Sequence, residues 1–201
     1  MEVRDLHHAY VRRAVLRGID MDLRPGVLVG IVGENGAGKS TLLRILSGEL
    51  RPQRGTVSHT GRFGYCPQEV VLNDALTVRQ HLEFFKAAFG LADLRDAQEV
   101  MEALRLSEYA DERAGVLSGG TRQKLNLTLA LMHDPQVLLL DEPYQGFDWE
   151  TYQRFWELAV RLRKAGRSVL VVSHLAYDAE RLDEIWHLEG GILHPGASVT
   201  A

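Results

Sequence analysis

The sequence predicts an α/β fold: a core built on a mainly parallel sheet, an antiparallel β subdomain at the N-terminus, and a helical lobe inserted into the core. Three observations predict it. Residues 27–32, 137–140 and 168–172 are short apolar runs without polar alternation, as strands covered on both faces require. The first run is followed at once by a glycine-rich loop and then by a helical pattern. From Leu72 to about Gly115 the strand signals stop and helical periodicity replaces them. The chain has 201 residues, 45% hydrophobic and 25% charged, enough for one domain, with or without a small lobe, and a full core.

In chain order, residues 3–10 and 19–23 read as short strands, the second closed by the turn Arg24-Pro25-Gly26. After the loop, Leu42, Leu43, Ile45 and Leu46 recur at helical spacing and Gly48 stops the helix. Residues 51–55 read as a turn, and Phe63-Gly64-Tyr65-Cys66 as a strand leading to Pro67-Gln68. Thr77 and Gln80 make a capping box for a helix with Val78, Leu82, Phe85 and Phe89 on one face and Gly90 at its end. Asp96 starts the next helix, with Ala97, Val100, Met101 and Leu104 as its stripe. A further helix runs from Thr121 to about Met132. Asp148 caps another, whose Tyr152, Phe155, Trp156 and Ala159 are core filling at that spacing. Residues 184–193 read as a hairpin turned by Gly190-Gly191.

The loop is Gly33-Glu34-Asn35-Gly36-Ala37-Gly38-Lys39-Ser40, followed by Thr41. It fits G-x-x-x-x-G-K-[ST], the P-loop of nucleoside triphosphatases. A triphosphate needs backbone N–H groups at close range, and glycines lacking Cβ permit that approach. The helix starting near Lys39 adds its unpaired N–H groups. Lys39 supplies a point charge for the β- and γ-phosphates, and the Ser40 hydroxyl a ligand for Mg²⁺. A shuffled chain of this composition would carry the pattern only about three times in a thousand.

Asp141-Glu142 closes the second apolar run, at the end of a parallel strand where such sheets bind ligands. Asp141 is placed to hold Mg²⁺, directly or through water. Glu142 is placed to deprotonate an attacking water. Leu117-Ser118-Gly119-Gly120-Thr121-Arg122-Gln123 is a second glycine-rich turn opening a helix, hence a second anion-binding helix start.

Together these stretches resemble the ATP-binding domain of the ABC ATPase family, whose signature is L-S-G-G-x-x-Q, and the resemblance covers nearly the whole chain. It implies a P-loop NTPase core spanning residues 1–71 and 116–201 with a helical subdomain at 72–115. It implies ATP and Mg²⁺ as cofactors, and two cassettes meeting head to tail so that Ser118, Gly119 and Gly120 of one cap the γ-phosphate held by the other. Gln68 matches the glutamine touching Mg²⁺ and attacking water, His174 the switch histidine on the γ-phosphate, and Tyr10 the aromatic stacked on adenine. Gly146-Phe147-Asp148 matches the loop crossing the dimer interface. Pro143-Tyr144-Gln145-Gly146-Phe147 departs from the family, which has a small hydroxyl residue and then Gly-Leu; Tyr144 and Phe147 are bulky there.

The resemblance implies an ATP hydrolase powering a membrane transporter, with separate transmembrane permease subunits and a second cassette, identical or not. The stretch from Leu76 to Phe85 resembles exporters in texture. The location implied is cytoplasmic, peripheral at the cytoplasmic face of a membrane. The alternatives are a soluble ABC ATPase acting on ribosomes or nucleic acid, and a P-loop enzyme outside the family, such as a kinase. The first usually carries two cassettes or a long coiled-coil insertion, and the signature speaks against the second. A net charge of −4 with both signs interspersed argues against nucleic acid as a broad binding partner, which usually leaves a basic face or tail. Cys66 is the only cysteine, so no internal disulfide forms. No apolar run approaches the roughly 20 residues of a membrane span, and the first residues lack a signal-peptide pattern. The adjacent His7-His8 point to opposite faces of a strand and make a poor metal pair.

Overall fold

A computed structural model describes residues 1–11, 13–69, 71–173 and 176–198. The first half comprises β1 (Glu2–Tyr10), β2 (Arg13–Asp22), β3 (Leu28–Val32), α1 (Lys39–Leu46), β4 (Arg54–Ser58) and β5 (Phe63–Cys66). Then come α2 (Val78–Phe89), α3 (Arg95–Ala103), α4 (Gly119–Leu131) and β6 (Val137–Asp141). The chain continues through α5 (Trp149–Lys164), β7 (Ser168–Ser173), β8 (Glu184–Glu189) and β9 (Ile192–Ser198).

The apolar runs form the middle of a six-stranded sheet ordered β5-β6-β7-β3-β8-β9. All neighbours are parallel except β8 and β9, which pair antiparallel. Every residue of β3, β6 and β7 is buried, which explains their unbroken apolar texture. Parallel pairing has a consequence for function. The C-terminal ends of β3, β5, β6 and β7 emerge at one edge, carrying the loop after Val32, Gln68, Asp141-Glu142 and Ser173 to that edge together.

A separate antiparallel sheet, β2-β1-β4, covers one side of this core. Val3, Leu6, Leu16, Ile19 and Met21 pack with the α1 residues Leu42, Leu43 and Ile45 against one face of the large sheet. The other face packs on α4 and α5, where Phe155 and Trp156 are almost fully buried. The helices of residues 78–103 build a third cluster with α4, joining Val78, Leu82, Ala97 and Met101 to Leu125 and Leu129.

Three local readings change. The second strand begins at Arg13, not Ile19, and the turn at 51–55 runs into an additional strand, β4. The first six residues of β2 bury only Leu16, and β4 buries none, so neither stretch of sequence shows the apolar–polar alternation of a half-buried strand. The helix expected from Thr121 starts two residues earlier, with Ser118 as its cap. The capping box is present as read: the Thr77 hydroxyl accepts from Gln80 N–H at 3.1 Å and the Gln80 side chain accepts from Thr77 N–H at 2.9 Å. Thr77→Ala should therefore cost about 1 kcal/mol and lower the thermal midpoint by about 2–4 °C, readable by calorimetry.

Candidate active site

The glycine-rich loop leaves the buried end of β3 and enters α1 through Gly38, whose φ of 107° lies in the left-handed region. A Cβ there would sit 2.8 Å from Val15 Cγ1, so the position needs glycine on both counts. No side chain caps α1, so its first N–H groups face outward from the turn. Lys39, only 5% exposed, folds across the loop and donates from Nζ to the Gly33 and Glu34 carbonyls at 2.6 and 3.0 Å. Burial lowers its pKa, while the nearby carboxylates of Glu142 and Asp141 act in the opposite sense. A phosphate chain would add negative charge and favour the ammonium further.

At the end of β6, Asp141 is 2% exposed, beneath the loop's lysine. Glu142 follows with φ of 48°, a left-handed conformation that costs a non-glycine residue on the order of 1–3 kcal/mol and is typical of functional sites. Its carboxylate Oε2 accepts from Gln68 Nε2 at 3.1 Å, because β5 and β6 are neighbours and deliver both residues to the same edge. This use of the Gln68 amide N–H leaves its carbonyl oxygen for another partner.

One cavity of about 580 Å³ gathers Tyr10, Asn35, Gly36, Gly38, Lys39, Ser40, Thr41, Gln68 and Glu142. Tyr10, 43% exposed, stands at its rim. A larger cavity of about 780 Å³ borders the other flank of the loop, including Gly33, Glu34 and Ala37, and reaches His187 and Gly190. It lacks Lys39, Ser40, Gln68 and Glu142, so the smaller cavity is the candidate for chemistry. Two of its lining residues suit a hard cation, through the Ser40 hydroxyl and the Gln68 carbonyl; Asp141 is not among the lining residues, and its buried carboxylate is the third oxygen ligand that the sequence assigned to the cation. Among the described residues no cluster of three or more His, Cys, Asp or Glu could hold a metal. A cation here would need phosphate oxygens and water to complete its shell, as Mg²⁺ does.

Sequence reasoning missed Arg13, which also lines this cavity and pairs across the hairpin with Tyr10. The signal is the short hairpin joining β1 to β2, which a second strand beginning at Ile19 conceals. Ser118, Gly119 and Gly120 do not line the cavity. Ser118 caps α4 by accepting from Thr121 N–H at 3.2 Å, and it borders a separate cavity of about 300 Å³. Gly120 has another neighbour, since a Cβ there would overlap the Gly146 carbonyl. His174 lies outside the described residues. Cys66 is buried, which pushes its thiol pKa up and leaves it a poor nucleophile.

A family model described as ABC transporter matches residues 16–145. Nod factor export ATP-binding protein I of Cupriavidus metallidurans is 34% identical over 197 residues, 90% of this chain. The chain spans 65% of that relative's own length. Among solved structures, the ATP binding subunit of an ABC transporter superposes with a TM-score of 0.91 at 28% identity, covering 98% of this chain and 89% of its own. A dimeric bacterial ABC transporter cassette gives 0.87 at 23% identity, covering 100% and 99%, and shares the fold.

Proposed function

The chain belongs to the ABC transporter family as an ATP-binding subunit, and from that premise we propose that it binds and hydrolyses ATP to power a membrane exporter. The observation that carries this reading is the single cavity holding Lys39, Ser40, Gln68 and Glu142 above the buried Asp141. Loop N–H groups and Lys39 would bind the phosphates, and Tyr10 would stack on the adenine. Ser40, Asp141 and Gln68 would hold Mg²⁺. When bound, the cation supplies charge neutralisation across the β- and γ-phosphates. Glu142 accepts a proton from water as the water oxygen attacks the γ-phosphorus, and ADP leaves with the electrons of the broken P–O bond. Gln68, bonded to Glu142, orients the same water. His174 is assigned the γ-phosphate contact from the resemblance alone.

The Ser118 helix start stands outside its own chain's cavity, which supports a head-to-tail pair in which it completes the neighbour's site. The second cassette is a copy of this chain or a close relative. We take residues 72–115 as a helical subdomain and the remainder as the ATPase core. No described helix is long and apolar enough to cross a membrane. The likeness to ATP-binding subunits of transporters supports separate transmembrane permease subunits as partners, with this chain at the cytoplasmic face. Export follows the relative named for Nod factor export. Affinity purification from detergent-solubilised membranes tests the reading: an integral membrane protein should co-purify and stimulate phosphate release. Recovery of ribosomes or DNA instead would assign the chain to a non-transport role.

A further inference from the structure

Glu142 is held in its left-handed conformation by the strand beside it. Its N–H donates to the Val172 carbonyl of β7 at 3.1 Å, and its carbonyl accepts from Gln145 N–H at 3.2 Å, closing a tight turn. Two residues on, past the rigid Pro143, the Tyr144 side chain returns to the same strand. Its hydroxyl donates to Ser173 Oγ at 2.6 Å. The ring has little freedom, because Tyr152 and Phe155 meet it edge to face at centroid distances of 5.3 and 5.6 Å. The segment after Glu142 is therefore fastened to β7 at two successive residues, by backbone at Val172 and by side chain at Ser173. A phenol carried by a clamped ring reaches across where a short side chain at position 144 would end closer to its own backbone.

We propose that Tyr144 is a positioning residue for hydrolysis, its hydroxyl tethering the Glu142 turn to Ser173 so that the carboxylate stays within reach of the attacking water. The inference rests on the reading of Glu142 as the base. It gives the bulky tyrosine a task where the family has a small hydroxyl residue. Tyr144 is not among the residues lining the candidate cavity, and its proposed effect runs through the position of Glu142.

Tyr144→Phe removes one oxygen and keeps the ring, and Ser173→Ala removes the partner from the other side. Each should lower kcat about 5- to 50-fold, the usual consequence of a catalytic group displaced by a fraction of an ångström, with KM for ATP unchanged within about twofold. The double variant should be no slower than either single one, and Ser173→Thr, which keeps a hydroxyl, should retain most of the rate. In a Glu142→Gln background, Tyr144→Phe should change nothing further. Thermal midpoints recorded beside the rates separate positioning from folding. A full kcat in Tyr144→Phe overturns the proposal. So does a loss that persists in the Glu142→Gln background or that tracks a lowered midpoint and weakened ATP binding. If the wild type does not hydrolyse ATP, or Glu142→Gln does not slow it, the fault lies with the assignment of the base and not with the tether.

Discussion

Glu142→Gln will bind ATP as the wild type does and hydrolyse it about 10²–10⁴-fold more slowly, the usual worth of a positioned general base. The amide keeps the shape of the carboxylate and can still meet Gln68, now 3.1 Å from Glu142 Oε2. It cannot take a proton from water at neutral pH. Lys39 loses one of the two carboxylates that favour its charged form and keeps the other, Asp141, so phosphate binding survives. The ATP-bound pair of cassettes should then accumulate, because the reaction that separates it is blocked. Phosphate release, with gel filtration in the presence of ATP, reads both effects. An unimpaired rate would move the base elsewhere.

The second large effect concerns the shared site. Lys39→Ala removes the cation that spans the loop, and Ser118→Arg replaces the N-cap of α4 with a bulky side chain that cannot accept from Thr121. Each variant alone should be nearly inactive. In a mixed pair both lesions fall on one composite site, while the other joins an intact Lys39 loop to an intact Ser118 helix. Mixing the two inactive proteins should restore up to about a quarter of wild-type activity, if half the pairs are mixed and sites act independently. The control is that wild-type protein dimerises with itself on ATP. Given that dimerisation, a mixture that stays inactive sinks the shared site in its simple form.

The features legible in the sequence were local ones. The phosphate loop, the Asp141-Glu142 pair, the Thr77–Gln80 capping box and the Asp148 cap each depend on residues a few positions apart, so spacing alone exposes them. The buried strands were legible because parallel strands in the middle of a covered sheet are apolar throughout. Partnerships across long chain separations were not. Tyr144 and Ser173 are 29 positions apart, and their hydrogen bond exists because β6 and β7 are neighbours. The approach of Gly120 to Gly146 joins the first turn of α4 to the loop before α5, which no periodicity connects. Strand β4 was missed because it buries no residue and is held by backbone pairing with β1. Arg13 was missed as a cavity residue for a related reason: it is exposed and placed by register with Tyr10, not by pattern.

The most direct test of the central claim, that residues 33–41 hold a nucleoside triphosphate, is equilibrium binding of ATP with Mg²⁺ to the purified wild type and to Lys39→Ala, by calorimetry. The account predicts saturable binding to the wild type at one site per chain, and its loss in Lys39→Ala at an unchanged thermal midpoint. Saturable binding that survives Lys39→Ala, or none in the folded wild-type protein, would contradict it.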